Sequence, residues 1–237
     1  MPTYLYCIRS DPQAVPPDLT GVDGAEVRSL SATGLTAWVS DVDEVPVSST
    51  LARVKAHDAV CAAAMGSGET PLPIRFGQTF TDDAAAATAI AGRRPTLRER
   101  LARVAGCVEV RVVVSRGREA QEPATPMSGV APVAADDRPA ARRGTEFLRR
   151  LAREGRADLA REVACEELRH AVREAARPFI VEHQRCEAAR GVAFFPLLVR
   201  RSELEASQAV IAACLAAVGG EASLLGPFPP YSFSGDA

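Results

Sequence analysis

Cys107-Val108-Glu109-Val110-Arg111-Val112-Val113-Val114-Ser115 is the stretch on which the fold turns. Val108, Val110, Val112 and Val114 recur at every second residue, while Glu109 and Arg111 point away. That is the period of a strand with one face on a core. Downstream, periodicity is lost over about 116–141, where Pro123, Pro126, Pro132 and Pro139 lie among Ala, Gly and Asp, the composition of a flexible loop. A helical stretch then covers about 142–176, with Phe147, Leu148, Leu151, Leu159, Val163 and Leu168 as its apolar stripe and Pro178 as its stop. Strands follow near 178–186 and 191–200. Ser202-Glu203-Leu204-Glu205 has the pattern of a capping box opening a helix that ends at Gly219-Gly220. A terminal strand closes the chain. From residue 106 to 237 the order is β-α-β-β-α-β, that of a ferredoxin-like domain with a long internal loop and an extended tail.

Upstream, residues 1–105 read as a separate α+β domain, so the fold class is α+β with two domains. A strand at about 3–8 alternates Tyr4, Tyr6 and Ile8 with Leu5 and Cys7. A weaker strand lies near 25–30. In a third, Leu35, Ala37 and Val39 share one face and Trp38 lies on the other. Ser48-Ser49-Thr50 supplies capping oxygens for a helix at about 50–65, with Leu51, Val54, Cys61 and Met65 on one side. Leu72 to Phe80 reads as a strand. Two short helices follow, one after Thr81-Asp82-Asp83 and one opened by the capping box Thr96-Leu97-Arg98-Glu99.

The composition is that of a globular chain: 47% hydrophobic and 24% charged residues over 237 positions, enough for one large or two ordinary cores. A net charge of −2 gives no general pull toward nucleic acid or anionic lipid. Lys55 is the only lysine, a bias we attribute to codon usage rather than to phosphate recognition. The six cysteines form no C-x-x-C pair and read as reduced, buried thiols of a cytosolic protein. The N-terminus lacks the layout of a secretory signal, and no window of eighteen apolar residues marks a membrane span.

Candidate sites resolve into structural readings. His57 and Cys61 sit four apart on one helix, but a Cys/His nucleophile needs a third orienting group, so a packed histidine beside a buried thiol is preferred. Glu167-x-x-His170 is half of a di-iron motif without its second half, and reads as a solvated helix face. Gly66-Ser67-Gly68 lacks the context of a nucleophile elbow or phosphate loop and reads as a turn. Arg75, between Ile74 and Phe76, needs an acidic partner if it points inward. Gly77 suits a bulge or close backbone approach. No catalytic, metal or cofactor signature remains.

Two proline-centred motifs stand apart. One is Leu72-Pro73-Ile74-Arg75-Phe76-Gly77. The other is the C-terminal Gly226-Pro227-Phe228-Pro229-Pro230-Tyr231-Ser232-Phe233, whose prolines exclude a helix and hold an extended strand with pinned aromatics. Those aromatics suit a lid stapling the strand onto the last helix better than a binding platform. Together with Tyr4-Leu5-Tyr6, Gly34-Leu35, His57, the valine-rich strand after Gly106 and Gly144-x-x-Phe147-Leu148, the chain resembles the gas vesicle protein F/L family nearly end to end. Phe228 stands where the family commonly has tryptophan, and Phe147 where it often has tyrosine.

The resemblance implies a non-enzymatic accessory or minor structural protein of gas vesicle assembly, in the cytoplasm or on the vesicle. Gas vesicles are hollow buoyancy shells built mainly from one small, very apolar protein. The implied partners are that major shell protein and other gas vesicle accessory proteins, with no nucleic acid, membrane span, cofactor or metal. The motif positions Leu72, Pro73, Arg75, Phe76, Gly77, Gly226, Pro227, Phe228, Pro229, Pro230 and Tyr231 are then structural or partner-binding. The runner-up is a small-molecule-binding or enzymatic protein using a cleft between the two domains. An RNA-binding module would need aromatics on central strands, where 107–115 offers Val and Glu.

Overall fold

The computed structural model describes residues 1–66, 69–115, 159, 162–189, 192–218 and 222–235. The 116–141 loop and the first part of the 142–176 helix lie outside the described residues, as do Ser67, Gly68, Gly219 and Gly220. The architecture is α+β with two antiparallel sheets.

The first sheet has the order β2-β3-β1-β4, with β5 also on β1. Its strands are β1 (Thr3–Arg9), β2 (Arg28–Ala32), β3 (Leu35–Asp41), β4 (Leu72–Pro73) and β5 (Thr79–Phe80). The alternation expected along β1 breaks: Tyr4, Tyr6 and Cys7 enter one core cluster, while Leu5 and Ile8 enter the other. A register shift between Leu5 and Cys7 against β3 is the cause, because the extra residue of a bulge reverses the faces beyond it. In β3, Leu35, Ala37 and Val39 share one cluster and Trp38 the opposite one, as the sequence requires.

Leu72 to Phe80 does not form one strand. β4 and β5 pair with successive parts of β1, and 74–78 arches between them on the bonds Ile74 N–H to Tyr6 O (2.9 Å) and Leu5 N–H to Gln78 O (3.0 Å). Helix α1 (Leu51–Met65) is capped by the Thr50 side chain, but its buried stripe is His57, Val60, Cys61 and Ala64. Leu51 and Val54 are exposed. The observed stripe is an i, i+3, i+4, i+7 set, with a hydrogen-bonded imidazole at its first position.

Helix α2 (Asp83–Gly92) is capped by Asp82, whose carboxylate accepts from Ala85 N–H. Helix α3 (Arg94–Val104) begins two residues before Thr96, with Pro95 in its first turn. Thr96 is therefore inside the helix and caps nothing, since proline prefers that first turn, where its missing donor is not needed.

The second sheet has the order β10-β6-β9-β7, with β8 also on β9. It comprises β6 (Cys107–Ser115), β7 (Ile180–His183), β8 (Glu187–Ala189), β9 (Val192–Arg200) and β10 (Ala222–Phe228). The strand expected at 178–186 is thus shorter, and 184–186 separates it from β8. Helix α4 (162–175) packs Cys165, Leu168, Val172 and nearby Ala176 onto the valine face of β6. The chain enters α5 (Leu204–Val218) through a 3-10 turn at Arg201–Glu203, so the Ser202 box does not cap it. Cys107, Leu198 and Phe233 from the second half pack in one cluster with Leu5, Ile8, Leu97 and Leu101 from the first.

The tail is a strand only to Phe228. After Pro229 and Pro230 it turns through a 3-10 element, Tyr231–Phe233, toward the first sheet. Gly226 is fixed by geometry at the bend: its φ is +117°, and a Cβ there would lie 2.9 Å from Glu109 O.

Candidate docking site

The two proline motifs, distant in sequence, meet at His57. The imidazole is buried between α1 and β1. Its Nε2 lies 3.0 Å from Ile74 O in the first motif, and its Nδ1 lies 3.0 Å from the Tyr4 hydroxyl. A carbonyl only accepts, so Nε2 carries a proton and donates to Ile74 O, while Nδ1 and the Tyr4 hydroxyl share the second bond. The Tyr4 oxygen in turn accepts from Gly77 N–H at 3.0 Å. Gly77 has a φ of +90° with open space at its Cβ position, so its role is conformational and no close approach is involved. Phe76 meets the His57 ring edge-on at 5.8 Å between centroids, and Tyr231 of the second motif lies 6.2 Å away.

Around this centre the Tyr6 and Cys61 groups are engaged in packing as well. The Tyr6 hydroxyl bonds Ser40 Oγ (2.8 Å) and accepts from Val22 N–H (2.8 Å). Cys61 Sγ sits 3.7 Å from His57 Nε2, and burial, then the neighbouring Cys7 thiol, push its pKa well up. Burial likewise raises Tyr4 and Tyr6. A protonated, buried thiol is a poor nucleophile, and the packed-histidine reading of His57 fits this geometry.

The tail is held at several points. Glu109, fully buried on the face of β6 away from the valines, accepts from Ser232 N–H (2.8 Å) and Ser232 Oγ (2.9 Å), and pairs with Arg111 Nε (2.5 Å). Gln184 Nε2 donates to Ser232 O. Phe233 is fully buried in the cluster shared by both halves. Pro229 and Pro230 are buried, Phe228 and Tyr231 half-buried, and Gly226 and Pro227 exposed. The staple therefore runs from β6 to the first sheet rather than to α5. Thr70 Oγ1 to Cys107 O (2.7 Å) and Arg201 Nη1 to Met65 O (2.6 Å) add further ties.

In the first motif, Leu72, Pro73 and Ile74 are buried, Phe76 and Gly77 half-buried, and Arg75 points to solvent, so no buried charge needs a partner there. Glu167 and His170 are both exposed on α4. All six cysteines are free, five of them buried and Cys214 half-buried.

On the opposite face of β1 lies a feature the sequence did not disclose: an apolar cleft of about 410 Å³ between β1, β5, α2 and α3. Leu5, Ile8, Ile74, Phe80, Ile90 and Leu97 line it, with Arg93 and Gln78 among its polar residues. Its only hint was the charge-free run Ala84–Gly92. Among the described residues no group of His, Cys, Asp and Glu is placed to hold a metal ion, and no helix is long and apolar enough to cross a membrane.

Fold and site together define an α+β protein whose distinctive residues lock two sheets together beside an apolar cleft. The family model described as "Gas vesicle synthesis protein GvpL/GvpF" matches residues 2–235, and the chain belongs to that family. It is similar to gas vesicle protein L2 of Halobacterium salinarum, 34% identical over 119 residues that cover 47% of this chain and 43% of that protein. It is also similar to gas vesicle protein F2 of the same organism, 32% identical over 114 residues, 47% of this chain and 52% of the relative. The chain spans about half the length of these curated relatives. The crystal structure of the gas vesicle protein GvpF from Anabaena sp. PCC7120 superposes with a TM-score of 0.71 at 20% identity, covering 100% of this chain and 97% of that one. That of GvpF from Microcystis aeruginosa gives 0.69 at 17% identity, with 98% of each chain covered. These two likenesses establish the shared fold.

Proposed function

We propose that this chain is a non-enzymatic accessory protein of gas vesicle assembly, acting in the cytoplasm or on the vesicle. It binds the major shell protein and other assembly proteins. The observation that carries this reading is the family match over residues 2–235. Shell subunits expose apolar surface before they assemble, and a partner that covers it keeps them from aggregating. Within this reading residues 1–105 and 106–237 are two domains, the second ferredoxin-like; the order β10-β6-β9-β7, fully antiparallel, supports that description.

An enzyme would gather ionisable groups with perturbed pKa values in its cleft. The apolar cleft lies within the first half rather than between the halves, and Arg93 is the one ionisable residue lining it. Co-expression of the full chain with the major shell protein, followed by capture of soluble complex, tests the proposal. We expect the two to co-purify. No association, together with normal vesicle formation in a strain lacking this chain, would refute it.

A further inference from the structure

We propose that the cleft between β1, β5, α2 and α3 is the docking site for an amphipathic helix of an assembly partner, one that inserts large apolar side chains and sets a carboxylate against Arg93. The inference rests on the accessory-protein reading and adds to it the surface and the chemistry of the contact.

Backbone hydrogen bonding decides the form of the occupant. β1 pairs with β3 along one edge and with β4 and β5 along the other, and β4 and β5 are two residues long each, so the cleft offers no free strand edge long enough to pair an added strand. A strand laid there would leave its own donors and acceptors without partners, whereas a helix satisfies them internally. The cleft wall also favours a helix. From Ala84 to Gly92 the sequence of α2 is Ala-Ala-Ala-Ala-Thr-Ala-Ile-Ala-Gly, with Ala84 and Thr88 exposed and Ala89 lining the cleft. A surface helix ordinarily carries charge on its outer face. The small side chains here let a second helix axis approach closely.

Charge decides the rest. Arg93, at the junction of α2 and α3, is exposed and lines the cleft, and Arg94 beside it is also exposed. Neither has an acidic partner among the described residues, whereas Arg28, Arg53 and Arg103 are each paired with carboxylates. An apolar slot ending at Arg93, which has no carboxylate beside it among the described residues, is complementary to a helix that carries apolar anchors and an acidic residue beyond them. The volume of about 410 Å³ suits side-chain anchors rather than a folded domain.

The test uses the full-length chain, tagged and co-expressed with the major shell protein and the other gas vesicle accessory proteins of the same organism. Ala89→Glu places a carboxylate in the cleft, Arg93→Glu reverses the charge of its rim, and Arg177→Glu, exposed in the turn that follows α4, is the control. We expect each cleft variant to lower the captured partner by about ten-fold, with unchanged circular dichroism and melting, and the control to match wild type. Partner capture through Arg93 should also weaken as salt rises. Capture within about two-fold of wild type by both folded cleft variants would overturn the docking site while leaving the accessory role intact. Wild-type protein that captures no gas vesicle protein would remove both. Decanoate binding to wild type that Ala89→Glu abolishes, with partner capture untouched, would assign the cleft to a small apolar ligand instead.

Discussion

Glu109 on β6 and Ser232 near the C-terminus are joined by two hydrogen bonds onto one fully buried carboxylate, at 2.8 and 2.9 Å. They are 123 positions apart in the sequence. Glu109 keeps Arg111 at 2.5 Å, so the carboxylate links strand, tail and a half-buried cation.

Removing that carboxylate strands two donors and a guanidinium in a largely dry site. Glu109→Ala should therefore cost roughly 3 kcal/mol in stability, read as a lower urea midpoint, and Glu109→Gln should cost less. A loss below about 1 kcal/mol for the alanine variant would mean that the tail is held by its aromatics alone.

The aromatics make a separate contribution. Phe233→Ala removes a fully buried ring from the shared cluster and should cost roughly 3–5 kcal/mol. Tyr231 packs its ring near His57, and its buried hydroxyl faces Cys61 and Asp58 without a hydrogen bond of good geometry to either. Tyr231→Phe should then be near neutral or slightly stabilising, since no bond is lost, while Tyr231→Ala should lower the melting temperature by several degrees. Equal losses for both substitutions would show the hydroxyl to be a structural donor.

Stability should respond to acid in two windows. Burial, then the charges of Arg169 and Arg173, depress His183 below the ordinary histidine value of 6.5. The folded state binds fewer protons there than the unfolded chain, so this contribution is complete above 6.5 and lost as pH falls below it. Asp83 is lowered by hydrogen bonds from Arg28, and Glu166 by Cys186 N–H and Arg169. Their contributions hold above the ordinary carboxylate range and disappear as pH drops beneath it. Urea midpoints across pH should show both declines, and His183→Gln should flatten the upper one only.

Thiol reactivity should follow burial. Cys61, Cys107, Cys165 and Cys186 are each pushed up by burial, which withholds the thiolate. Iodoacetamide at mildly alkaline pH, followed by peptide mass mapping, should label half-buried Cys214 first and the rest only on unfolding. Early labelling of Cys61 would contradict the closed His57 junction.

Local order was legible in the residues. The alternation of Val108, Val110, Val112 and Val114 marked β6, Thr50 marked the start of α1, and Trp38 fell on the face opposite Leu35 and Ala37 as expected. These features depend on neighbours within a few residues, where backbone period and capping chemistry act directly. Both proline motifs stood out for the same reason.

What those motifs are for was decided only in three dimensions. Sequence placed Leu51 and Val54 on the buried side of α1, yet the fold buries His57 and Ala64, because Tyr4 and Ile74 O are there to satisfy the imidazole. It gave the tail a continuous strand, yet the strand ends at Phe228, Ser232 is held by Glu109 of β6, and Phe233 is buried in the cluster shared with the first sheet. Period reveals which side chains share a face. Which surface covers that face depends on partners far along the chain, and no local pattern encodes them.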